Sequence, residues 1–191
     1  AGRALDEGAP ELSSLILLYQ VSERLAKAPT LGAFLEDVAD WVLGLADARA
    51  VVVLLADPRG VLSPALVRQR GGAAEVPLSR GAVEECVRSR VALCIADAGS
   101  DERFASRDSV MRHALGQILC VPLWEEDEVV GVLYVTRDAD EVQLSRLVEV
   151  LVAIAHLAAS GIRQQRLRAR AAEDLRVRKV LERFHAPDIV D

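Results

Sequence analysis

Residues 118–137, ILCVPLWEEDEVVGVLYVTR, contain two apolar runs rich in Val, Ile, Leu and Tyr, separated by Glu125-Glu126-Asp127-Glu128. Such runs suit a pleated, half-buried surface, and four successive acids suit only a solvated turn. The stretch therefore predicts an antiparallel hairpin, and the segments before it read as more of the same sheet. ARAVVVLLAD (48–57) is a β-branched run closed by Pro58-Arg59-Gly60, and VLSPALVRQR (61–70) reads as the returning strand. Between the two hairpins, VPLSRGAVEECVRSRVALCIAD (76–97) places Val83, Cys86 and Val87 on one face of a short helix and then offers VALCIA as a strand. The polar DAGSDERFASRDSVMRHALGQ (97–117) reads as a connecting loop with one helical turn or more.

Helical periods flank this block. After a flexible stretch over 1–11, residues 12–28 put Leu12, Leu15, Ile16, Tyr19, Ser22 and Leu25 near one face, which predicts an N-terminal helix. Pro29 interrupts it, Thr30 is the expected N-cap, and Leu31, Phe34, Leu35, Val38, Trp41, Val42 and Leu45 carry a second helix. From about residue 140 the period is helical again and the next proline is Pro187, so one helix of roughly 40 residues is predicted over 140–185. Leu144, Leu147 or Val148, Leu151, Ile154 or Ala155, and Ala158 recur at intervals of three and four, and the repeat weakens through Ile162, Ala169, Ala172 and Leu175. A helix this long cannot pack on a small domain over its whole length, so the terminal helices are expected to pair in a homodimer.

Composition limits the function. The 191 residues suit one domain with helix to spare, and 51% apolar with 27% charged residues excludes disorder for most of the length. No run of 18 apolar residues occurs and AGRALDEGAP lacks a secretory pattern, so neither a membrane span nor an export signal is expected. Cys86, Cys94 and Cys120 are odd in number, widely spaced and in apolar surroundings, which suits a reducing cytoplasm and inert core thiols. Residues 1–160 hold 15 basic and 24 acidic residues, whereas 161–191 hold 8 and 5. The acidic body disfavours nucleic acid, and the basic tail reads as a solvated helix face.

Three ordered segments resemble the GAF family over about Leu31 to Leu157. VPLSRGAVEECV resembles the family's V-P-L-x-x-G-x-V-x-x-x-V stretch, with Gly81 and Val83 in place; DAGSDERF resembles its D-x-R-F connector at Asp101, Arg103 and Phe104; and GQILCVPLWEEDEVVGVLYV resembles its closing hairpin. The resemblance implies an α/β (α+β) fold: a GAF domain over 30–158 with an antiparallel sheet, helices on one face, a ligand pocket under the connector on the other, and long N- and C-terminal helices. By family position, Asp97, Asp101, Arg103, Phe104, Val110 and Met111 are the candidate ligand-binding residues. The ending RKVLERFHAPDIVD resembles the hinge before class III adenylate or guanylate cyclase domains, through Leu181, Arg183, Phe184, Pro187, Ile189 and Val190; a histidine kinase or a transcriptional activator is the alternative output.

Catalysis is not expected. The histidines, His113, His156 and His185, lie near no recognisable nucleophile motif, and no phosphate loop occurs. No haem ligand set accompanies His113, and residues 97–117 hold no cysteine for a bilin. TRDADEVQLSRL lacks the Asn-Lys pair and the aromatic of cyclic-nucleotide-binding GAF domains, and Glu125 to Glu128 read as a solvated turn rather than a metal site. The expectation is a cytoplasmic signal-input domain without a cofactor, which dimerises and couples an unidentified small molecule to an output domain. A ligand-free dimerisation spacer is the rival, and a relative of the methionine sulfoxide reductases is a third reading that requires reactive cysteines.

Overall fold

A computed structural model describes residues 19, 22, 23, 27–71, 76–95, 116–138 and 144–184. Helix α1 spans Leu31–Leu45, and Thr30 caps it as the sequence predicts, its hydroxyl accepting the Ala33 amide hydrogen at 3.2 Å. The first hairpin pairs β1 (Ala50–Ala56) with β2 (Leu62–Gln69). Its turn is organised by Asp57, whose carboxylate accepts from the amides of Arg59 and Val61 at 2.8 Å each. Helix α2 (Arg80–Ser89) leads into the short β3 (Leu93–Ile95). The closing hairpin is β4 (Gln117–Glu125) and β5 (Glu128–Arg137), with the turn at the predicted acids. Helix α3 then runs unbroken for 41 residues, Leu144–Phe184. The predicted N-terminal helix falls mostly outside the described residues.

The strands form one five-stranded antiparallel sheet in the order β2-β1-β5-β4-β3. Hydrophobic strand neighbours alternate between two faces, as a period of two requires. Val51, Val53, Leu119, Val121, Leu133 and Val135 share the first face with Phe34, Val38 and Val42 of α1 and Leu151, Ile154, Ala158 and Ile162 of α3. Val52, Leu54, Ile118, Cys120, Val132 and Tyr134 face the other way and pack against Ala82, Val83 and Cys86 of α2. Helices therefore cover both faces, where the family resemblance implied one.

Leu144–Glu182 is long and apolar enough, by length and composition, to cross a membrane. Within it Leu151, Ile154, Ala155, Ala158 and Ile162 are buried against the domain's own sheet, while Val152 is exposed. The repeat read from the sequence thus packs on the domain itself.

Candidate functional site: the second face of the sheet and the exit of the long helix

Tyr134 is the largest fully buried side chain of the second face. Its hydroxyl accepts the Ser79 amide hydrogen at 3.1 Å and donates to the Pro77 carbonyl at 3.3 Å. Ser79 is itself the N-cap of α2, its hydroxyl accepting from the Ala82 amide at 3.3 Å. The middle of the sheet thereby fixes where α2 starts. Burial holds the Tyr134 phenol protonated well above its usual range, an effect partly offset by the Ser79 hydrogen bond.

Beside Tyr134 lie two of the three cysteines. Burial pushes the Cys86 thiol up to about 12, and it raises Cys120 as well, with the neighbouring Cys86 adding to the effect. These are the inert core thiols expected. Cys94 departs from that expectation: it is exposed on β3, a short strand at the edge of the sheet.

A cleft of about 660 Å³ opens between α2 and β3, lined by Gly81, Glu84, Glu85, Arg88, Leu93, Cys94 and Ile95. Glu85 accepts from the Arg88 guanidinium, and among the described lining residues the acids Glu84 and Glu85 stand beside one cation, Arg88. The six candidates chosen from the sequence, Asp97, Asp101, Arg103, Phe104, Val110 and Met111, lie outside the described residues, as do His113 and His185. Ile95, the last described residue before that stretch of sequence, lines this cleft. Among the described residues no group of three or more His, Cys, Asp or Glu side chains could hold a metal.

A second feature, not anticipated from the sequence, is the point where α3 leaves the body. Arg163 pairs with Glu126 at 3.0 Å and with Glu125 at 3.8 Å on the β4–β5 turn. Gln165 donates to the Ala28 carbonyl at 2.9 Å, and Arg166 to the Ala56 carbonyl at 2.8 Å. Three residues of one turn thus hold three parts of the domain, and from Leu167 to Glu182 every residue of α3 is exposed. No spacing rule reveals such contacts, since each joins positions far apart in sequence.

Comparison with known proteins agrees with this architecture. The GAF domain family model matches residues 30–162. The GAF domain of a phosphoenolpyruvate-protein phosphotransferase from Coxiella burnetii superposes with a TM-score of 0.69 at 18% identity, covering 83% of this chain and 97% of that one. The A. aeolicus nlh2 GAF domain, in an inactive state, gives 0.66 at 14% identity over 81% and 98%. Free methionine-R-sulfoxide reductase from Neisseria meningitidis, in complex with its substrate, gives 0.61 at 18% identity over 78% and 88%. A search among curated protein sequences returned no match.

Proposed function

The chain belongs to the GAF domain family, whose members are in general signal-sensing regulatory domains, and from that premise we propose that it is a dimeric input module controlling an attached output domain. The observation that carries this reading is α3: its first half is buried on the sheet to Ile162, and its second half runs on as an exposed helix bearing Leu167, Leu175, Val177 and Leu181. An isolated amphipathic helix is marginal in water and gains its stability from a partner. A small molecule, with Asp97, Asp101, Arg103, Phe104, Val110 and Met111 as the candidates for its contacts by family position, biases two arrangements of the paired helices. The tail's likeness to a cyclase hinge supports a class III nucleotide cyclase as the output, in the cytoplasm.

Size-exclusion chromatography with light scattering at tens of micromolar gives twice the monomer mass under this reading, and a strict monomer overturns it. A thermal-shift screen of cyclic nucleotides, amino acids and aromatic acids raises the melting temperature with the correct ligand class, because only the folded state binds. The reductase reading is disfavoured by the two buried thiols, Cys86 and Cys120, whose protonated forms are poor nucleophiles.

A further inference from the structure

Among the described residues the buried polar or charged side chains are Ser79, Gln117, Thr136 and Arg137. Gln117, 3% exposed, and Arg137, 9% exposed, stand directly opposite each other, at the first residue of β4 and the last of β5. Counted in twos from Leu119 and Val135, both belong to the face covered by α1 and α3, opposite the face of Tyr134 and α2. Gln117 Oε1 and Arg137 Nε are buried atoms without a hydrogen-bond partner. The first needs a donor and the second an acceptor.

A guanidinium stays charged, so Arg137 cannot escape burial by losing its proton, and an unpaired buried charge is costly. Among the described residues no acid pairs with it: its neighbour Asp138 is exposed and holds Arg49 at 3.0 Å. The start of α3 adds to the demand. Only residues 138–143 separate Arg137 from Leu144. From Leu144 to Arg163, which reaches Glu126 past the far end of β4, the helix rises about 28 Å, close to the length of about 26 Å that β4 spans. Helix α3 therefore begins over the Gln117–Arg137 end of the sheet. Its first amides favour negative charge there, and its first turn holds no acid and includes Arg146.

We infer that Gln117 and Arg137 form a binding site for a small oxyanion that keeps a proton at neutral pH, of which hydrogen phosphate is the simplest. One oxygen accepts from Arg137 Nε and the protonated oxygen donates to Gln117 Oε1, so each orphan atom gains the partner it lacks. Opposed positions on neighbouring strands hold their Cβ atoms about 5 Å apart, which suits a ligand of few atoms. Both residues stand on inner strands, which preorganises the site. A single water completes the hydrogen bonds and leaves the guanidinium charge unpaired. Sulfate neutralises that charge, but it carries no proton at this pH and leaves Gln117 Oε1 unsatisfied. Beneath the start of α3, a bound anion fastens that helix to the sheet at the end opposite the Arg163 contact. The site shares no residue with the cleft beside α2 and does not depend on dimerisation.

The test is thermal denaturation of the full chain at pH 7 and constant ionic strength, with inorganic phosphate or sulfate added to a buffer free of both. Phosphate at tenfold its Kd, read from the concentration dependence, raises the midpoint by about 3–6 °C, and sulfate at the same concentration raises it less than half as much. Gln117→Glu is nearly isosteric and places a carboxylate beside the guanidinium. It melts above the parent without phosphate and does not respond to phosphate. Arg137→Met responds to neither anion. No phosphate shift in the parent overturns the site, and so does an equal shift in the parent and Arg137→Met, which is the general effect of excluded salts. A Gln117→Glu chain that melts below the parent without phosphate shows that the guanidinium already has an acid, and it overturns the site as well. Equal shifts by phosphate and sulfate that Arg137→Met abolishes overturn the role of Gln117 and of the proton.

Discussion

The Tyr134 hydroxyl receives the Ser79 amide hydrogen at 3.1 Å, joining the centre of the sheet to the first residue of the α2 cap. Tyr134→Phe keeps the ring and removes the acceptor from a backbone amide at a residue only 4% exposed. Loss of a buried partner of this kind costs about 1–3 kcal/mol. Chemical denaturation should show a lower midpoint with an unchanged slope, and amide exchange should accelerate first in 79–89. An unchanged midpoint would mean that α2 is positioned by its apolar face alone.

Gly131 is required by its neighbour across the β1–β5 pair. A Cβ there would collide with the Leu54 carbonyl oxygen and lie 3.2 Å from Leu123 Cδ1. The first of these is backbone in a central strand and cannot yield without breaking the ladder. Gly131→Ala is expected to cost more than about 3 kcal/mol, in the tail of the single-substitution range. Gly44, exposed in the last turn of α1 with nothing within 4 Å of where a Cβ would stand, is the control; Gly44→Ala should be neutral or stabilise by about 0.5–1 kcal/mol. Thermal denaturation of both variants beside the parent checks the contrast.

The thiols divide by burial. Ellman's reagent at neutral pH should label one thiol per native chain, Cys94, and all three in denaturant. Burial also makes stability pH-dependent. An unfolded thiol ionises near about 8.5, whereas Cys86 in the folded chain is pushed up to about 12. Between those values the unfolded chain gives up a proton that the folded chain keeps, so the stabilisation is complete below the lower value and is lost as pH rises toward the upper one. Melting temperatures should therefore fall above pH 9, and less steeply in Cys86→Ala than in the parent. Parallel profiles would show that Cys86 does not couple to folding.

The helices were legible because each carries a period that burial enforces, and the strands because each is an apolar, β-branched run bounded by turn residues. The two apolar runs in 118–137, parted by four acids, placed both closing strands, Thr30 announced the start of α1, and the helical period after residue 140 predicted α3 almost to its ends. Cys94 was misread because apolar neighbours in sequence do not tell an edge strand from a central one. The stripe Leu151 to Ile162 was legible as a stripe, but whether it meets a sheet or a second helix depends on tertiary packing. The hold of Arg163 on Glu126, and of Tyr134 on Ser79, joins residues tens of positions apart, where no spacing rule applies.

The exit of α3 offers the last test of coupling. Gln165 donates to the Ala28 carbonyl at 2.9 Å, and Arg166 to the Ala56 carbonyl at the end of β1 at 2.8 Å. Both acceptors are backbone, so any movement of the β1 end or of the segment entering α1 reaches the helix directly. Each hydrogen bond is worth about 0.5–1.5 kcal/mol net, too little to unfold the domain and enough to let one turn of helix open more often. The double variant Gln165→Ala with Arg166→Ala should therefore lower the denaturation midpoint only slightly. It should speed amide exchange several-fold over 160–170 while 171–184, beyond the last contacts with the body, exchanges as before. Faster exchange spread evenly along α3 would show that the helix responds as one unit and that these two side chains do not form its pivot.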